Sequence, residues 1–546
     1  MTGTGPSGPS ARPSPQTRPE WASRWIRRLR VTAVAATVAL PALLAVVLIA
    51  ALGRPAGGLR AQPVRPGGVW RPPTSATLLC PDLRPPMGST VTVDVGTAGA
   101  AADGVTDARG RVWLSVGGEV RDIPAIGGLA GRMAVPVPGG VPVVVHATGP
   151  AAAGLSATVT VPGEGGRAPV RRARCDRSRS EFWFVGPETI AGRDPLLVLT
   201  NPEVVPARAE VTVLTAGGTT AQAPDGVRIP PLASVTRRLS TWAPDADATA
   251  VRVQVRDGRL AALVLDQAGG SAPGDSVAVP VATSAEPASS VVVPGAAAGV
   301  GGADVVVAAP GTDAVIRIEL LTASARFAPP GLAALRVPGG GVVRLPAVAA
   351  GAGVTAVRVA ATSGGPVVAA VGLSIPDPGS FPAGSLPASR AGPASAPAPA
   401  PAPTAAPAPA PRRWWIPAAE AIPADPAAAV LLPAVGDAVL LPAVGDAVGD
   451  AAPSTLVLTA PAAAVTVWLD GDPVRVPAGR TVSVEQRAAV RMVTQGGPLV
   501  AARITVSAGE LSLLTLTAAP RVVFAPVVVE DPGVALRRWP GTLGHL

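Results

Sequence analysis

The sequence contains no lysine and no tyrosine, and Asn201 is its only asparagine. Aromatic residues make up 3% of it, and it has two histidines and two cysteines. Each shortage closes a class of function. A phosphate-binding loop needs its lysine, and there is none. No GxSxG or HExxH motif occurs, and neither His146 nor His545 keeps ligand spacing with a cysteine. No catalytic constellation, no metal site and no cofactor is therefore expected. The net charge of +9 comes entirely from arginine. A chain rich in Ala, Gly, Pro, Arg and Val but starved of Lys, Asn and Tyr is what a GC-rich genome writes. The basic excess reads as mutational bias, and without aromatic platforms or the usual motifs nucleic acid is not an expected partner.

What is abundant is punctuation. The 546 residues include 65 Pro and 62 Gly, about twice the average usage of roughly 12%. Long helices outside a membrane are disfavoured, and short strands joined by turns are favoured. With 48% hydrophobic residues the chain can bury cores, and its length allows three or four domains.

One apolar run stands apart. Val31 to Gly53 carries no charge over 23 residues, and as a helix it would span roughly 34 Å, enough for a hydrocarbon core of about 30 Å. Arg24, Arg27, Arg28 and Arg30 precede it, and Arg54, Arg60, Arg65 and Arg71 follow it more sparsely. The bias predicts an uncleaved single-pass anchor with its N-terminus cytoplasmic and the bulk of the chain extracytoplasmic, at the cell membrane. A cleaved secretory signal is the alternative, although its apolar stretch is normally about 7–15 residues. In the exported region an oxidising compartment makes a Cys80–Cys175 disulfide plausible; closing that loop would stabilise by roughly 4–5 kcal/mol on the chain-entropy model. Two unrelated buried thiols are the alternative.

The exported region repeats itself. FWFVGP (182–187), LVLTNP (197–202), TAVRVQV (249–255) and LAALVLDQ (260–267) return as VVVPG (291–295), VVVAAP (305–310), TAVRVAA (355–361) and VVAAVGLS (367–374). Val251 to Val357 is 106 residues, and Pro202 to Pro310 is 108. A third, distorted copy reads WWIP (414–417), LVLTAP (456–461), AAVRMVT (488–494) and LVAARITV (499–506). One step back from Val251 lands on Val145, with VTVDV (91–95) upstream, so a weaker copy fills the first part. Units of about 100 residues holding several short strands have the size of an immunoglobulin-like β-sandwich. The expected fold is mainly β, one N-terminal transmembrane helix followed by tandem β-sandwich-like modules; a β-propeller, with blades of roughly 40–50 residues, is the rival.

The expected boundaries are an Arg-rich cytoplasmic tail at 1–30, the span at 31–53, and a juxtamembrane segment with the first β module at 54–180. The second module follows at 181–289 and the third at 290–386. A Pro/Ala-rich linker occupies 387–413, read as an extended spacer, and a C-terminal module covers 414–546. After the linker, LLPAVGDAV occurs twice in tandem at 431–439 and 440–448, which replication slippage explains.

With the anchor, the FWFVGP strand, LVLTNP and TAVRV…LAALVLDQ in view, the chain resembles the actinobacterial domain-of-unknown-function family 5719 over residues 75–530. The resemblance implies a membrane-anchored or secreted envelope protein and carries over no catalytic residue. The family pattern places a cysteine within the FWFVGP-like strand, where this chain has Val185, so the resemblance does not carry over a pairing for Cys80 and Cys175.

Two features are candidate ligand-binding surfaces. Trp183, Trp414 and Trp415 could stack on sugars, or pack in cores as strand-opening aromatics more often do. Arg171, Arg172 and Arg174 belong to a run of six arginines over 167–179 that could hold anionic polymer, or form a solvated connector. Glu181, Glu188 and Asp194 are the carboxylates that a hydrolase would use; ordinary solvated loop acids is the plainer reading. The function expected is a non-enzymatic, membrane-anchored extracytoplasmic scaffold or accessory protein of the cell envelope, with envelope proteins as partners. Binding of cell-wall glycan or anionic polymer is the alternative.

Overall fold

The computed structural model describes residues 68–71, 73–86, 89–96, 110–123, 130–163, 170–222, 226–268, 277–297, 303–346, 354–375, 412–422, 438–441, 454–469, 471–486, 490–507, 510–516 and 523–526. The chain divides into two compact units, residues 1–69 with 526–546 and residues 70–525; nearly all described residues belong to the second. No helix among the described residues is long and apolar enough to cross a membrane. The expected span at 31–53 and the tail before it lie outside them.

Unit 70–525 is built from antiparallel strands. The alternation of Ala207–Thr215 shows why: Ala207, Ala209, Val211 and Val213 are buried while Arg208 and Glu210 face outward, the period-two pattern of a half-buried strand. Leu196–Asn201 is buried almost throughout, because one of its faces meets its own core and Val198 on the other meets the neighbouring module.

The strands group into four modules of one topology. In the second, Glu181–Val185, Ala250–Asp257, Ala207–Thr215 and Gly218–Gln222 make one sheet, with Val227–Ile229 as an addition. Ala233–Arg238, Leu196–Asn201, Ala261–Ala268 and Val277–Val281 make the other. Leaving the addition aside, the order along the chain is first–sixth–third–fourth against fifth–second–seventh–eighth. The same order holds in the module from Ser75 to Cys175, in the one that starts at Ser290, and in the one from Ala438 to Leu516. Each pair of sheets shares one core; in the third module Val293, Ile318 and Val359 from one sheet pack with Val305, Val307 and Val371 from the other. Consecutive strands thus change sheets repeatedly. A propeller blade, a run of adjacent strands in one sheet, cannot be cut from this order, and the described residues form no propeller.

The repeat read from the sequence maps onto this topology. LVLTNP, VVVAAP and LVLTAP are second strands, and Val145, Val251 and Val357 sit in sixth strands. The exception is WWIP. Arg412–Pro417 is the eighth strand of the third module, paired with Val368–Ile375 from Ala370↔Pro417 to Ile375↔Arg412. The fourth module opens instead with Ala438–Leu441, which pairs with Val490–Val493. The expected boundary between 413 and 414 therefore falls inside a strand. Ile375 and Arg412, which flank residues 376–411, are paired neighbours in this one sheet; apart from Arg412 and Arg413, the extended spacer expected over 387–413 lies outside the described residues.

Cys80 and Cys175 are disulfide-bonded, joining the first strand of the first module to its eighth across the two sheets. Beside them Leu79 and Asp176 exchange backbone hydrogen bonds of 2.7 and 3.0 Å.

Within unit 70–525 the modules contact one another in a closed cycle. Leu196, Val198 and Leu263 of the second pack into the core of the first. Val306, Val368 and Trp415 of the third pack into that of the second. Val292 and Leu321 of the third meet Val500 of the fourth, and Arg174 of the first donates to the Thr515 carbonyl of the fourth at 2.8 Å. The eighth strands of the four modules neighbour one another in the same cyclic order.

Replacing 376–411 by a short Gly-containing turn should leave the fold intact and the separation of the second and fourth modules unchanged. Electron–electron dipolar distances between spin labels on those modules check this; a shift of several ångströms would favour the spacer reading.

Candidate functional site

The densest polar arrangement lies where the second and third modules meet. The loop after Glu181–Val185 begins at Gly186, whose φ of +120° favours glycine. It is fastened by Thr189, whose backbone N–H donates to the Ala246 carbonyl at 2.8 Å and whose hydroxyl accepts from the Ala246 N–H at 2.9 Å. This loop carries Glu188 and Arg193 into the interior. Asp266 enters from the seventh strand of the same module. The third module supplies Asp304 from its second strand, Arg344 from its fifth, and Arg413 and Trp415 from its eighth.

These groups form one network. Glu188 Oε1 accepts from Arg344 Nη1 at 2.6 Å and from Arg413 Nη1. Arg193 reaches Glu188 Oε2 at 3.9 Å and Asp266 Oδ2 at 3.4 Å. Asp304 Oδ2 pairs with Arg344 and, at 3.4 Å, with Arg413. Arg344 also donates to the Asp247 carbonyl at 3.0 Å. Trp415 Nε1 donates to Asp266 Oδ2 at 2.9 Å, and the Arg413 guanidinium lies 5.7 Å from the Trp415 ring centre. Three carboxylates meet three guanidinium groups, so the charges balance. Glu188 and Asp266 are 4% and 2% exposed, which puts both beyond a substrate's reach. Burial pushes the Asp266 carboxyl up to about 6, against the opposing pull of Arg193 and the indole N–H. Its second oxygen, Oδ1, has no hydrogen-bond partner among the described residues.

Trp415 is held by shape as well. A Cβ on Gly186 would lie 2.2 Å from its ring, and one on Gly372 would lie 2.6 Å from it. Gly372 is the residue paired with Trp415 across the strands, so the glycine vacates the space that the indole fills.

A buried ion network gives little net stability, because desolvation offsets the attraction, but breaking it leaves a charge uncompensated. Its chemical capacity is therefore to fix one orientation of two modules.

The residues singled out from the sequence are placed as follows. Trp183, Trp414 and Trp415 are 2%, 6% and 3% exposed, so none presents a ring face to a sugar. Trp183 Nε1 donates to Glu181 at 2.5 Å, and Arg252 donates to the same carboxylate at 2.9 Å. Arg171, Arg172 and Arg174 lie on the eighth strand of the first module. Arg172 donates to Thr160 Oγ1 at 3.1 Å, and Arg174 to Asp176 at 2.6 Å as well as to Thr515. Arg174 thus ties the first module to the fourth, whereas Arg177 of the same run is exposed. Asp194 accepts from Arg238 and from Ser240 Oγ at 2.8 Å. Glu181, Glu188 and Asp194 are thus each claimed by arginine, and Glu188 is no solvated loop acid. The sequence reading missed Arg193, Asp266, Asp304 and Arg344; one signal available was an aspartate inside the apolar run LAALVLDQ. It also missed Trp113, which stacks on His146 with ring centres 5.2 Å apart. Among the described residues no group of three or more His, Cys, Asp or Glu is placed to hold a metal ion.

A family described as being of unknown function, DUF5719, matches residues 132–410, just over half of the chain, and the chain belongs to that family. The match is shorter than the 75–530 expected from sequence motifs. No curated protein matches the chain.

Gly186→Ala must displace Trp415 and adopt an unfavourable φ, and should cost about 3 kcal/mol. Gly192→Ala, at φ +82° with open space around it, should cost only about 1 kcal/mol. Urea titration followed by tryptophan emission measures both; equal losses would refute the wedge. Asp266 supplies a second check. Its folded pKa lies above its unfolded value of 3.8, so its contribution is complete below about pH 4 and is lost as pH rises through about 6. The stability of Asp266→Asn relative to the native chain should rise by roughly 3 kcal/mol between those limits and pH 7, read from denaturation midpoints across that range.

Proposed function

We propose that this DUF5719 member is a non-enzymatic, membrane-anchored extracytoplasmic scaffold or accessory protein of the cell envelope. The observation that carries the reading is the Glu188–Arg344–Arg413 network: the buried charges that chemistry would need are spent on holding two modules in one orientation. Repeated modules locked in a cycle suit a protein whose product is geometry, the presentation of several sheet faces at fixed spacing to other proteins. The disulfide suits an oxidising compartment, and the uncharged run at 31–53 suits a single membrane pass with the Arg-rich tail inside. Binding of glycan or anionic polymer draws no support from Trp183, Trp414 or Trp415, which are buried, or from Arg172 and Arg174, which are engaged within the protein.

In-cell crosslinking of the tagged full-length chain, followed by identification of what copurifies from membranes, tests the reading. A reproducible set of envelope proteins is expected. It should shrink sharply with Arg344→Ala, which unlocks the junction while each module keeps its apolar core. Recovery of wall polymer alone, or an unchanged protein set with the variant, would reject it.

A further inference from the structure

A second polar feature lies away from the ionic junction, in the cleft where the first, second and fourth modules meet. Its walls are apolar: Leu79 from the first module, Phe182 and Leu260 from the second, and Leu514 from the fourth. Two arginines stand against them, and they differ. Arg174 is consumed, by Asp176 at 2.6 Å and by the Thr515 carbonyl at 2.8 Å. Arg177 makes no hydrogen bond or ion pair among the described residues. Asp176 is already neutralised by Arg174, so the cleft carries one uncompensated positive charge next to hydrocarbon. The free space is on the order of three water molecules, enough for a carboxylate and its first methylenes.

We propose that this cleft binds a small aliphatic monocarboxylate, with its carboxylate on the Arg177 guanidinium and its hydrocarbon against Leu79, Phe182, Leu260 and Leu514. A guanidinium fork matches a carboxylate in two parallel hydrogen bonds, and a single free cation balances a single anion. A doubly charged phosphate monoester would find no second free cation and would face Asp176. Arg177 is exposed, so its guanidinium is open to a ligand arriving from solvent, and partial desolvation beside these walls lowers its pKa from the usual value. Clefts between domains, apolar with a few convergent polar groups, are where small ligands bind. The site is independent of the scaffold reading and stands or falls without it.

The test is saturation-transfer NMR on the full-length chain in detergent micelles, with hexanoate as the probe. Transfer to the hexanoate methylenes is expected, weakened about tenfold or more by Arg177→Gln in the same micelles. The variant should melt as the native chain does, because Arg177 has no partner to lose. Arg177→Lys, which keeps the charge but not the fork, should fall between the two. Equal transfer in the native chain and Arg177→Gln would overturn the proposal. So would equal transfer to hexanol, which would reduce the cleft to an apolar surface. Displacement of hexanoate by equimolar inorganic phosphate would overturn the choice of a monocarboxylate.

Discussion

Glu188 is a carboxylate buried in one module whose closest cations belong to the next. Arg193, from its own module, stays at 3.9 Å, whereas Arg344 and Arg413 of the third module bond to it directly. Separating the modules would strand a buried charge, a cost of about 3–5 kcal/mol, while most of the apolar burial would stay within each module. The orientation of the second module against the third therefore rests on this carboxylate as well as on the apolar contact of Val306, Val368, Ala370 and Trp415 with the second module's core. Other features follow from it. Gly186 must take its positive φ to turn the loop inward, Thr189 must pin that loop, and Trp415 must reach Asp266 through the gap that Gly372 leaves.

Much of the fold was legible because its determinants are local. Alternating Val and Ala, closed every few residues by Gly or Pro, specify strands whatever surrounds them. A period near 106 residues specifies equivalent modules, and its landing on sixth strands shows that the period tracks topology rather than composition. What could not be read is long-range. The eighth strand of the third module joins its sheet after 36 residues, where the other copies have nine or fewer, so WWIP, placed just before the fourth module, passed for that module's opening strand. Repeat alignment ranks segments by order along the chain, whereas a sheet ranks them by hydrogen bonding.

The site was less legible than the fold for a related reason. The tryptophans and arginines were visible, but a tryptophan reads the same whether it faces solvent or a neighbouring module. Glu188 looked solvated because its neighbours in sequence are polar and loop-like; the cations that bury it stand 156 and 225 residues away. Asp266 was a local anomaly, an acid in an apolar strand, and an acid there needs a partner from outside the strand.

The repeat also explains why charges and a single indole do this work. Val and Ala cores built from near-identical strands give sheet faces that resemble one another, so apolar packing alone would let a module dock on the wrong neighbour or the wrong face. A device that differs between copies is needed. In the seventh strands the copies align with an offset of 107 residues, LAALVLDQ on VVAAVGLS, so Leu265 of the second module corresponds to Gly372 of the third and Asp266 to Leu373. Both positions differ between the copies, and Trp415 touches the polar or small residue of each pair: it donates to Asp266 and lies against Gly372. Had the third module kept a leucine in place of Gly372, the indole would have no room; had the second kept a leucine in place of Asp266, its N–H would have no acceptor there. Divergence at these two positions turns two equivalent modules into a matched pair that fits in one order only.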